Sequence, residues 1–249
     1  MSVVLPTKKV AAETQDPKNL IIYGAPKVGK TTLLAELPES ILIDTEGGSS
    51  YVSAVKVKAT TIPELTEVCK AILDAGKPYK FLILDTITAL EEMCKPLAAK
   101  LYMSTPMGKN YTGGAEGILN LPQGAGWGYL RQAIEKVIDM VSKCSENLVI
   151  VGHVKDKAIV DAEGKEAGSI KDFDLSGKTG RILAAKSDGI GFCHRDKDSN
   201  LCINFENGGL VTAGARPKHL ANKDIVVAEN NGDGTFTSHW ERIFPSLKA

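Results

Sequence analysis

The stretch NLIIYGAPKVGKTTLLAEL, residues 19–37, sets an apolar run, a glycine-bounded turn and a helix-forming run side by side. NLIIYG is apolar without alternation, as in a strand buried on both faces, and KTTLLAEL carries helix formers up to Pro38. Between them GAPKVGKT, residues 24–31, fits G-x-x-x-x-G-K-[ST]. Glycines let such a loop curl until successive N–H groups converge on one phosphate, and the helix start adds its positive dipole end. The expected nucleotide-binding residues are therefore Gly24, Ala25, Pro26, Lys27, Val28, Gly29, Lys30, Thr31 and Thr32. Lys30 is expected to reach the β- and γ-phosphates of ATP, and the Thr31 hydroxyl to ligate Mg²⁺.

Outward from this stretch, further apolar runs follow: ILID at 41–44, FLILD at 81–85 and NLVIVGH at 147–153. Helical patterns separate them, at 63–75 after Thr61, from 87 to about 102, and at 129–144, where Ile134, Val137, Ile138 and Val141 share a face. Alternating strands and helices predict an α/β fold with a mostly parallel central sheet flanked by helices. Residues 103–126 read as a long Gly/Pro-rich loop. Beyond 189 the pattern changes: GIGFCHRD, LCINFE and GLVTAGA are short strands joined by KDSN and NGG, which predicts a C-terminal antiparallel extension. The expected organisation is a flexible leader, 1–18, and one domain, 19–249, with its core at 19–194 and the extension at 195–249.

Two strand ends carry acids. Asp85 closes FLILD, a strand expected beside the P-loop strand, where a carboxylate can hold Mg²⁺ through water; capping of the next helix by Asp85 or Thr86 is the alternative. Asp44 and Glu46 end ILIDTEGG, and alternation along a strand points both to one side. Glu46, farther out and followed by Gly47 and Gly48, is the expected base for the attacking water. Asp44 is expected to satisfy backbone groups, and a solvated acidic turn is the alternative for the pair.

LIDTEGG and FLILDTITAL resemble the corresponding segments of RecA-like P-loop ATPases. In that family a strand ending D-x-E supplies the catalytic glutamate, and an apolar strand ending D-S/T leads into the next helix. The order of segments, with GAGWGYLRQ, LVIVGHVKDK, DLSGK and a terminal WERIF, is similar to a group of phage RecA-like ATPases associated with single-strand-annealing recombination. The resemblance implies Lys30 and Glu46 as catalytic residues, Thr31 and Asp85 as the metal residues, and ATP with Mg²⁺ as cofactors. It also sets His153 where RecA has a glutamine sensor; a γ-phosphate contact and a surface histidine are both open readings.

The same resemblance implies a homo-oligomer, ring or filament, with ATP at the subunit boundary and a cation supplied in trans. Lys155, Lys157, Arg181, Lys186, Arg195 and Arg216 are the candidates. Single-stranded DNA is the expected partner, with a phage single-strand-binding or recombination protein as another. It would be held by the long loop (Lys109, Asn110, Tyr111, Trp127) or by residues 153–181 (Lys155, Lys157, Lys165, Lys171, Lys178, Arg181). For the second segment a polar-tipped β-hairpin reads equally well.

Lys+Arg and Asp+Glu both number 30, so no global positive field draws the chain to a polyanion. At 43% hydrophobic and 24% charged residues, the composition is that of a globular domain. No run approaches the ~18 apolar residues of a membrane span. The five scattered cysteines, with no secretory leader in evidence, predict reduced thiols in a cytoplasm, which the phage resemblance implies is that of a bacterial host. Cys193, His194 and Cys202 lack the paired spacing of zinc sites and read as core or strand-face residues. Trp240, Ile243 and Phe244 read as a segment docking on the core. The rivals to an ATP hydrolase are an assembly or loader subunit acting through a protein partner, and a small-molecule P-loop kinase.

Overall fold

The computed structural model describes residues 7–9, 16–160 and 166–248. The expected leader, 1–18, lies largely outside them, as does Lys165. In chain order the elements are β1 (Asn19–Gly24), α1 (Lys30–Ala35), β2 (Ser40–Asp44), β3 (Lys56–Lys58), α2 (Ile62–Asp74), β4 (Phe81–Asp85), α3 (Ile87–Met93), α4 (Lys95–Met103), α5 (Gly114–Gly117) and α6 (Ala125–Val141). They continue with β5 (Asn147–Val160), β6 (Glu166–Phe173), α7 (Thr179–Lys186), β7 (Gly189–Arg195), β8 (Leu201–Asn204), β9 (Gly214–Ala215), β10 (Asp224–Asn230) and β11 (Phe236–Ser238).

The main path of the sheet runs β11-β10-β8-β7-β1-β5-β4-β2-β3, with β9 on the edge of β7 and β6 on the far end of β5. From β3 to β7 every pair along this path is parallel; β8, β10 and β11 continue it antiparallel. Along β1, Leu20 and Ile22 face one apolar cluster while Ile21 and Tyr23 face the other, so both sides are covered as the unbroken apolar runs require. Helices α2, α3, α4, α6 and α7 pack on one face; α1 packs on the other with Trp240, Ile243 and Phe244, which dock on the core. The Phe244 ring lies 4.6 Å from that of Phe81.

Several expectations need correction. β4 is not adjacent to β1, because β5 lies between them. GIGFCHRD, as β7, runs parallel to β1, so the antiparallel order starts only with β8. Of GLVTAGA only Gly214–Ala215 forms a strand; the meander is completed by β10 and β11. The helix from 87 breaks at Cys94 into α3 and α4, with Pro96 in the first turn of α4. Residues 103–126 contain α5 and two single 3₁₀ turns, and α6 starts at Ala125, before the expected Tyr129. Residues 147–173 form the β5–β6 hairpin, whose ladder pairs Val154 with Phe173 through Ile159 with Gly168. Its turn, 161–165, lies outside the described residues.

Candidate functional site

The parallel ladders all run toward one edge, so the segments following β1, β2 and β4 meet there beside His153, where β5 leaves the ladder with β1. Gly24 occupies its position for a packing reason as well as for the turn: a Cβ there would stand 2.4 Å from the carbonyl oxygen of Cys193 on β7. Gly29, at φ 115°, is left-handed and begins α1 with no side-chain cap, which leaves the first N–H groups of the helix without local acceptors. Lys27, also left-handed at φ 62°, completes the curl of the loop.

The Lys30 ammonium donates to the carbonyls of Gly24 and Ala25, each at 2.9 Å. Burial lowers its pKa, against the attraction of Cys193, Asp85 and Glu46. Thr31 Oγ1 donates to Asp85 Oδ2 at 2.6 Å. Burial pushes the Asp85 carboxyl up, opposed by the Thr31 bond and by Lys30. β5 intervenes, but its register keeps Asp85 level with Val151 while Gly24 stands level with His153, so the reach from β4 to the P-loop is preserved.

The two acids of ILIDTEGG part company. β2 ends at Asp44, so Glu46 lies beyond the strand and its direction comes from the following turn. Asp44 accepts from the N–H groups of Glu46, Gly47 and Ser49 and from the Ser49 hydroxyl, at 3.0, 2.6, 2.9 and 2.6 Å. Burial raises its pKa, yet these four bonds outweigh burial and hold it below 3.8. Glu46 is partly exposed; its Oε1 accepts from Thr86 Oγ1 at 2.6 Å and stands 3.1 Å from His153 Nε2.

These residues line one cavity of about 460 Å³, within the usual range of ligand pockets. Pro26, Lys27, Gly29, Lys30, Thr31 and Thr32 form one wall, and Glu46, Asp85, Thr86 and His153 face them. Gly24 and Ala25 contribute through their carbonyls to Lys30, whereas Val28 packs against the apolar cluster around α1. The hydroxyl of Thr31 and the carboxylate of Asp85 are hard oxygen donors of the kind Mg²⁺ takes. The residues present therefore fit a magnesium–nucleotide.

The family model described as "AAA domain" matches residues 16–217. The chain belongs to this AAA domain family. The matched span of this AAA domain takes in the P-loop, both acid-bearing strands and the β5–β6 hairpin. Among solved structures, the crystal structure of the RadB recombinase is similar at 12% identity and a TM-score of 0.42, over 84% of this chain and 86% of that one. None of the curated proteins matches.

In the AAA domain Thr86 takes the capping role read for it in the sequence, and with Thr45 it makes contacts that the motifs do not reveal. Thr86 caps α3 by accepting from Ala89 N–H at 3.3 Å while donating to Glu46. Thr45 clasps the same residue, accepting from Thr86 N–H at 2.7 Å and donating to its carbonyl at 2.8 Å, so the turns after β2 and β4 are tied together. For these cross-turn contacts the signal in the sequence was the threonine directly after each strand's final acid, and the partner lay some forty residues away.

Four of the six candidate cations are paired within the chain: Lys155 with Asp174, Lys157 with Asp172, Lys186 with Glu135 and Arg216 with Asp188. Arg195 lies over the Phe236 ring and against its own P-loop, its Nη2 3.3 Å from where a Gly29 Cβ would stand. Arg181, on α7, lines a separate cleft of about 360 Å³. In the expected long loop, Tyr111 packs edge-on to Tyr102 and its hydroxyl donates to the carbonyl of Gly114, whereas Lys109 and Asn110 are exposed, as is Trp127 in the first turn of α6. No described helix is long and apolar enough to cross a membrane.

Proposed function

We propose that the protein is a Mg²⁺-dependent ATP hydrolase that couples its nucleotide cycle to single-stranded DNA in phage-type recombination or repair. One observation carries the ATPase reading: Lys30, the Thr31–Asp85 pair and the Glu46–Thr86–His153 group face each other across one cavity. Lys30 and the uncapped start of α1 bind and orient the phosphates. Thr31 and Asp85 would hold Mg²⁺, which when bound would supply charge neutralisation to the nucleotide. Glu46 orients the attacking water and takes its proton, and the Thr86 hydroxyl fixes which carboxylate oxygen is free to do so.

His153 stands beside Gly24 in the β1–β5 ladder and within hydrogen-bond reach of Glu46, a position from which it can sense the γ-phosphate. β5 runs unbroken from Asn147 to Val160, so any movement of His153 passes into the hairpin as a strand shift. The exposed Lys109 and Trp127 and the hairpin lysines Lys155, Lys157 and Lys171 are the proposed contacts for the DNA strand. Residues 19–249 act as one domain, with the chemistry in 19–194 and the sheet extended by 195–249. In a homo-oligomer with ATP at the boundary, Arg181, exposed on α7, is the cation to test first in trans.

The test is phosphate release with and without single-stranded DNA. ATP-dependent release stimulated severalfold by DNA is the expected result. Slow release indifferent to DNA favours a loader subunit, and phosphate transfer to a small molecule in place of release favours a kinase. Turnover unaltered by Lys30→Ala overturns the phosphate site itself.

A further inference from the structure

On the antiparallel half of the sheet, away from the nucleotide cavity, His194 of β7, Cys202 of β8 and Asp224 of β10 come together on one face. His194 and Cys202 are directly opposite in the ladder, and Asp224, level with Asn204, is diagonal to Cys202. Their ligand atoms, an imidazole nitrogen, a thiol sulfur and a carboxylate oxygen, lie within 4.8 Å of one another. Cys193, the neighbour that made the motif suggestive, points to the opposite face and into the core.

Both ring nitrogens of His194 stand against oxygen atoms. His194 Nδ1 is 3.3 Å from the Arg195 carbonyl, while Nε2 is 2.9 and 3.0 Å from the two oxygens of Asp224. Both nitrogens thus face acceptors, and a neutral imidazole has one N–H to offer. Donation from Nδ1 to a backbone carbonyl is the usual outer contact of a metal-bound histidine, and it leaves the Nε2 lone pair directed at the carboxylate. Phe192 stacks on the ring at an interplanar angle of 9° and holds it in this orientation. A cation between Nε2 and Asp224 satisfies every group, and the buried thiol beside it selects a borderline-soft metal over magnesium.

We infer that His194, Cys202 and Asp224 form a zinc-class metal site that pins β7, β8 and β10 together. Binding displaces one proton, from the Cys202 thiol, so thiolate and carboxylate together balance the two positive charges. Water takes the fourth tetrahedral position, since His194 and Asp224 are partly exposed. The cation braces what the nucleotide loop leans on: Arg195 and Leu201, the chain neighbours of His194 and Cys202, are the side chains packed against Gly29.

The experiment is Co²⁺ titration of the metal-free full chain, followed by Zn²⁺ competition. Expected are one Co²⁺ per chain with a thiolate-to-cobalt charge-transfer band, its displacement by Zn²⁺, and a melting temperature raised by Zn²⁺. Cys202→Ser should abolish the band and the rise in melting temperature, and His194→Gln should weaken binding by at least about tenfold. The sulfur band separates this site from Co²⁺ at Thr31 and Asp85, which offer oxygen alone. Absence of the band, or its survival in Cys202→Ser, overturns the proposal and leaves a histidinium–aspartate pair. Should Cys202→Ser fail to fold, His194→Gln, at a partly exposed position, decides by the same band.

Discussion

The two halves of the sheet gather side chains by different routes. In the parallel half most polar residues of the cavity sit at or just beyond a strand end, with His153 within β5 as the exception, because helical crossovers return every strand to the same edge. In the antiparallel half, His194, Cys202 and Asp224 meet across the ladder, from within the strands themselves. An edge site hangs on turns, so its chemistry can be removed with the sheet intact. A face site is part of the sheet, so its ligands and the stability of the strands are one matter.

The sharpest test of this difference is the pair Lys30→Ala and Glu46→Gln. Lys30→Ala should abolish phosphate release, and its circular dichroism spectrum should remain that of the parent. Glu46→Gln keeps an acceptor for Thr86 and should still bind ATP, while turnover falls by about 10²- to 10⁴-fold, read by phosphate release beside nucleotide-binding titration. Its stability should change by no more than about 0.5 kcal/mol, since Glu46 is partly exposed. Unfolding of either variant would break the separation between edge chemistry and sheet.

The same difference explains what could be read before the structure. GAPKVGKT was legible because its requirements are contiguous: strand, turn and helix follow within a few residues, and physics fixes the residue types. The acid-ended strands were legible for the same reason. Insertion of β5 between β1 and β4 was not, since strand order is a non-local choice among equally apolar runs. β3, with its lysines at both ends, is a strand only because β2 offers it an edge. Arg195 read as a candidate for the cation supplied in trans, but it closes β7, the strand beside β1, and lies against Gly29 of its own chain. The His194–Cys202–Asp224 group has no motif at all, because pairing register brings its members together and spacing does not.

Asp44→Asn tests an edge residue that behaves like part of the frame. Its carboxylate accepts four hydrogen bonds, and the amide must turn a donor toward at least one of those donors, a loss of about 3 kcal/mol by chemical denaturation. The pH dependence carries a sign. The native carboxyl lies below its ordinary 3.8, so its contribution is complete above that value and is lost as pH falls through the native one. The parent should therefore lose stability below about pH 4 more steeply than Asp44→Asn does. Parallel acid limbs would mean that the four bonds contribute nothing specific to the ionised form.

The smallest effect tests the join between the halves. Trp240 follows β11, and its indole N–H donates at 3.2 Å to the carbonyl of Leu33 on α1, the helix that carries Lys30 and Thr31. Trp240→Phe removes that bond and part of a buried ring, for a cost of about 1.5 kcal/mol. If the nucleotide edge is governed by its own turns, the Michaelis constant for ATP and the turnover should stay those of the parent while the melting temperature drops. A rise in that constant alongside the drop would mean that the C-terminal segment sets the position of α1, and that the two halves act on ATP together.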